Sequence, residues 1–106
     1  MASPTPWAVV LLLQTETISS KVLALQADDR RVLLALLKWS PYVSRKICAA
    51  LEAVASPWMQ KCAEEDYLLI LYDLEQSIQQ APIIWSNVAQ INIRLVNLYA
   101  RLQQAL

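Results

Sequence analysis

Apolar residues along this chain recur at steps of three and four rather than two, from Trp7 in the first segment to Leu102 in the last. That spacing is one face of an α-helix. Thr5-Pro6, Ser40-Pro41 and Ser56-Pro57 each set a hydroxyl residue where a helix N-cap sits, with proline at the first helical position, where its missing N–H costs nothing. Asp28-Asp29 ahead of Arg30 offers a carboxylate cap, and Pro82, after Ala81, marks a start without a side-chain cap.

The phase of the apolar stripe separates kinks from corners. Val32, Leu36, Trp39, Val43, Ile47, Ala50 and Val54 stay within about 60° of one line at 100° per residue. One helix is therefore expected from about Asp29 to Ala55, kinked at Pro41. Across Pro57 the stripe turns by roughly 90° and across Pro82 by roughly 140°, as at chain reversals. Four helices result, about Pro6 to Ala27, Asp29 to Ala55, Pro57 to Gln80 and Pro82 to Leu106. Matched lengths and short connections predict an all-α, antiparallel up-down-up-down four-helix bundle over residues 1–106 as a single domain. A true turn at Pro41 gives the five-helix variant. The core lines are Trp7, Leu11, Ile18, Val22 and Leu25; Tyr67, Leu68, Leu71, Leu74 and Ile78; and Ile84, Val88, Ile91, Leu95, Leu98 and Leu102. The third helix carries Glu64, Glu65, Asp66, Asp73 and Glu75 against Lys61 alone, so it is expected to lie between the net-basic second and fourth helices.

Each helix also has a second apolar line. On the fourth it runs Trp85, Ala89, Ile93, Val96 and Ala100; on the third Trp58, Cys62, Leu69 and Tyr72, with Met59 and Ile70 at one edge; on the first Val9, Leu12 and Leu13. A single-layer bundle buries one stripe per helix, so the second set faces solvent, a subunit, a partner or a ligand, solvent being the least favourable, unless helices 1 and 2 cover the third and fourth on both sides in an irregular globule. At roughly 1.5–3 kcal/mol per buried side chain, before the cost of association, such a set suffices for a dimer. The Ala-Ile-Val-Ala row of the fourth helix favours close approach by another helix. Trp58, Cys62, Leu69, Trp85, Ala89, Ile93, Val96 and Ala100 are the expected interface, and a second copy or another helical protein is the expected partner.

Composition sharpens this picture by exclusion. Hydrophobic residues make up 57% and charged residues 17%, against roughly 45–50% and about 25% in an ordinary domain. With no Gly there is no phosphate loop or dinucleotide fingerprint, and with no His there is no Ser-His or Cys-His pair, mixed zinc site or haem ligand of that type. No cofactor, small-molecule substrate or catalytic activity is expected. The longest apolar run, Trp7 to Leu13, is seven residues, against roughly 20 for a membrane span. No Lys or Arg precedes Lys21, so a secretory signal is not read, and a cytoplasmic location is expected. The absence of glycine suits a designed scaffold with proline-set corners, or a small viral reading frame.

The remaining chemistry is sparse. Cys48 and Cys62 flank the Ser56-Pro57 corner but point away from their core lines, and unbridged thiols are expected. Glu64 falls near the apolar line of its helix, where a raised pKa would suit an acid or base, but the expected role is a charge near the positive helix N-terminus, partly solvated or paired with a cation such as Arg94 or Arg101. Arg31, Lys38 and Arg45 are spaced by seven and form a basic line able to track phosphates, the alternative function being that of a small RNA-binding helical protein. Around them Lys38 to Glu52, with Val43-Ser44-Arg45 and Leu51-Glu52, resembles the RNA-contacting helix of insect nodavirus silencing suppressors over fifteen residues, while the rest of the chain does not follow that family. Nine Lys plus Arg balance nine Asp plus Glu, which disfavours nucleic acid as a partner.

Overall fold

The chain forms five helices, three of them opening on proline: α1 (Pro6–Ala24), α2 (Ala27–Leu36), α3 (Pro41–Ala53), α4 (Pro57–Gln79) and α5 (Trp85–Gln104). The structure is a computed structural model that describes residues 6–106. Thr5, the expected cap of the first helix, lies outside them. The Ser40 hydroxyl accepts a 3.1 Å bond from the Val43 amide, and the Ser56 hydroxyl a 3.4 Å bond from that of Met59, each with proline next in line. Two expected starts move. Gln26 precedes α2, leaving Asp28 and Asp29 inside its first turn, where they face the positive end of the helix dipole. Pro82 lies in the connection, joined to Ala81 by a cis peptide, and α5 begins three residues later.

The second rod is the five-helix variant: it bends over residues 37–40, between α2 and α3. Proline disfavours helical geometry in the residue before it, and Ser40 is extended (φ −156°, ψ 165°), as is Leu37 (φ −118°, ψ 126°). The extended link turns Leu37 and Trp39 into the core, and Leu33 is the buried residue of α2, with Leu36 exposed. A single stripe drawn through Val32 and Leu36 therefore misses the buried side of α2. Helices α3 and α4 also leave through extended residues, Val54 and Gln80. No described residue has positive φ, so these corners do not require glycine.

Chain direction alternates among the four long rods, and side-chain pairs give their neighbours. Arg94 bonds Asp73 at 2.5 Å and Arg101 bonds Asp66 at 2.7 Å, so α4 and α5 are antiparallel. Thr15 meets Ser44, Ser44 meets Tyr67, and Lys21 meets Glu75, so α1 lies antiparallel to α3 and parallel to α4. The Lys38 amide donates to Asn92 at 2.7 Å, beside the contact of α2 with α5. The four rods form a ring in which α1 and α4 make one side and α3 and α5 the other. The acidic α4 touches both the second rod, through α3, and the fourth, α5, as expected, and it also packs broadly on α1. Lys21 and Gln14 of α1 both donate to Glu75, and the Lys21 bond chiefly holds that carboxyl below the usual range, with burial opposing.

The expected core lines fill the interior. Leu11, Ile18, Val22, Tyr67, Leu71, Leu74, Ile78, Val88, Ile91, Leu95, Leu98 and Leu102 are all buried in one cluster, joined by Leu33, Leu37, Trp39, Ile47 and Leu51. Trp7, Leu25 and Leu68 are half-buried against it. Ile84 is exposed because the chain there has not yet entered α5. Ile70, expected at the edge of the outer line, is buried. Where α1, α3 and α4 meet, the core carries hydroxyls: Thr15 donates to the Leu11 carbonyl at 2.8 Å and lies 2.8 Å from Ser44, which accepts from Tyr67 at 2.6 Å.

Candidate association surface

The second apolar lines face outward. Trp58 is 74% exposed, Leu69 57%, Ile93 51% and Val96 41%; Ala100 is exposed, while Cys62, Trp85 and Ala89 are half-buried. Trp85 packs on the core near the start of α5, the helix that α2 also contacts. On α1, Val9, Leu12 and Leu13 are exposed as well. The lines of α4 and α5 do not merge into one face. At 100° per residue the Asp66–Arg101 and Asp73–Arg94 seam runs between them, leaving Leu69 and Ile93 on opposite flanks.

The α5 line reaches a groove at Val96. Between α3 and α5 lies a depression of about 320 Å³, lined by Tyr42, Val43 and Ile47 on one side and Leu95, Val96 and Tyr99 on the other, with Lys38 and Lys46. Lys46 sits over the Tyr42 ring, 4.8 Å from its centroid. The lining contains two lysines and no acid, and neither lysine has an ion-pair partner among the described residues. Beyond Lys46 the α3 side becomes small, with Ala49 and Ala53 exposed and Ala50 half-buried, and Ala100 of α5 is exposed as well. Tyr42, Lys46 and Tyr99 are absent from the interface read in the sequence. Their signal was present in the i,i+4 spacing of Tyr42 and Lys46, but that spacing meets Tyr99 only through the parallel placement of α3 and α5.

The basic line does not survive as a line. Its sevenfold spacing assumes a continuous helix, and the extended link at 37–40 interrupts it. Arg31 stands 3.5 Å from Asp28, Lys38 lies in the link at the groove, and Arg45 is exposed elsewhere on α3. Other candidate chemistry stays apart. Cys48 and Cys62 are free and half-buried, and burial, reinforced by Glu52, pushes the Cys48 thiol upward. Burial and then Glu65 raise Glu64 above the usual carboxylate range, with Lys61 opposing. Glu64 has no arginine partner, since Arg94 and Arg101 are taken by Asp73 and Asp66. Among the described residues no three His, Cys, Asp or Glu side chains gather as a metal site, and no helix is long and apolar enough to cross a membrane.

Comparison with protein-family models, with curated proteins and with solved structures returns no match for this chain.

Proposed function

We propose that this chain is a non-catalytic association module, natural or designed, which binds a helical partner, a second copy of itself included, through the groove between α3 and α5. The observation that carries this reading is the exposure of Val96 in the lining of the groove, with Ile93 exposed one turn earlier on α5 outside that lining, on a helix whose opposite face is already fully used in the core. Large apolar side chains grouped at a concave surface are favourable to cover, and the flanking alanines let a helix approach closely. Trp58, Cys62 and Leu69 lie on a separate face of α4 and offer a second contact.

Sedimentation over a concentration series tests the reading. The wild-type chain is expected to associate in the micromolar range, and Ile93→Asp to return it to monomer without changing its helix content. A sharp monomer at high micromolar concentration, unchanged by Ile93→Asp, would remove the association reading.

A further inference from the structure

We infer that the cavity between α3 and α5 is a binding site for a small anionic amphiphile, a carboxylate head on a short apolar body, with Lys46 and Lys38 holding the head and Ile47 and Leu95 the body. This goes beyond the association reading and does not depend on it.

The cavity measures about 320 Å³, within the range of roughly 300–1,000 Å³ that takes small molecules on an apolar lining with a few polar groups. Its floor is Ile47 and Leu95, both buried in the core cluster, and Val43 and Val96 stand at its sides. An apolar body therefore meets carbon beneath and beside it. The polar groups gather around Lys46, which lies over the Tyr42 ring with Tyr99 across the groove. Tyr42 first and then Tyr99 hold this lysine protonated above its usual range, with burial opposing. The second ammonium belongs to Lys38, whose backbone amide is fastened to Asn92 of α5.

Charge selects the head group. Helix α5 contains no acidic residue, and the one acid of α3, Glu52, lies outside the lining. Arg94 and Arg101 are taken by Asp73 and Asp66 of α4, so the charge left uncompensated at the groove is that of Lys38 and Lys46. A carboxylate supplies the missing counter-charge through charge-assisted hydrogen bonds. A neutral body leaves both ammonium groups unmatched, and a polyphosphate finds no arginine fork in the lining.

Three probes with one chain and different heads test the site: octanoate, octanol and octylammonium. Each is titrated into the full chain by NMR, at a protein concentration where sedimentation shows single chains. Octanoate is expected to saturate, with shifts centred on Val43, Ile47, Leu95 and Tyr99, and to bind at least about tenfold more tightly than the other two, the factor that one hydrogen bond to a charged group supplies. Lys46→Gln should weaken octanoate by a similar factor and leave octanol unchanged, and Val96→Glu should turn the preference toward octylammonium. Both positions are exposed, and circular dichroism verifies the fold. Equal affinity for octanoate and octanol, shifts centred on another face, a titration that does not saturate, or octanoate binding indifferent to both substitutions overturns the site. Sedimentation decides association and the titration decides this site, so either can fail without the other.

Discussion

Ser44 has one proton to give and two hydroxyl neighbours in the core. Thr15 spends its proton on the Leu11 carbonyl, so Ser44 must donate to Thr15 and accept from Tyr67, which makes a directed chain across α1, α3 and α4. Removing its links has unequal effects. Ser44→Ala leaves the buried Tyr67 O–H without its acceptor and is expected to cost about 1–3 kcal/mol, whereas Tyr67→Phe removes the donor itself and costs about 1 kcal/mol. Urea denaturation of the two variants at neutral pH measures the order. Nearby, the Trp39 indole N–H is buried without a hydrogen-bond partner; it lies near enough to Tyr67 to favour the phenolate without reaching bonding geometry. Burial dominates at Tyr67 and pushes its pKa up to about 12, against 10.0 for a free phenol, with Ser44 and Trp39 opposing. A folded state that holds its proton more tightly is stabilised below the unfolded pKa and loses that stability as pH rises through the folded one. Tyr67 thus contributes fully below about pH 10, and its contribution of about 2–3 kcal/mol disappears between about pH 10 and 12. Stability of Tyr67→Phe is expected to fall less than that of the wild type between pH 9.5 and about 11.5, read as the urea midpoint at each pH.

At the scale of the element, the starts were legible where a side chain makes the cap and hidden where it does not. Ser40 and Ser56 are read correctly because hydroxyl and proline act locally, on amides three residues away. Asp28 and Asp29 mislead because a carboxylate also suits the first turn inside a helix, and Pro82 misleads because proline serves a connection equally well. The break at 37–40 has a similar cause. A continuous apolar stripe cannot distinguish a kinked rod from two helices rejoined in phase by an extended link, and here Leu37 and Trp39 supply the burial that the link requires. The outer lines were legible because they follow from one helix at a time; the groove was not, because it needs the parallel pairing of α3 with α5. Cap strength makes the local part measurable. Ser40→Ala is expected to destabilise the fold by about 1 kcal/mol. Ser56→Ala should cost less, since its bond to Met59 is longer, 3.4 Å against 3.1 Å, and exposed. Parallel denaturation curves of the two variants give the difference, and equal midpoints would contradict it.

For the whole molecule, folding and the proposed association would draw on opposite faces of the same helix. Leu98 is 0% exposed in the centre of the cluster, while Ile93, five residues earlier on α5, is 51% exposed. Leu98→Ala removes packed atoms and leaves a cavity, which costs about 2–5 kcal/mol in a core of this kind. Ile93→Asp removes no packing from that cluster, so its effect on monomer stability is expected within about 0.5 kcal/mol. The two variants should therefore separate by about 2 kcal/mol or more in denaturation carried out at concentrations low enough to keep every chain monomeric. At higher concentration the proposed association would stabilise the wild type and Leu98→Ala alike through mass action, so their midpoints should rise with concentration, while that of Ile93→Asp stays level. A midpoint for Ile93→Asp that rises as steeply as the wild type would place the contact surface away from α5. A large loss of monomer stability in Ile93→Asp would mean that this side chain supports the fold after all, and that the outward face of α5 belongs to the molecule's own interior.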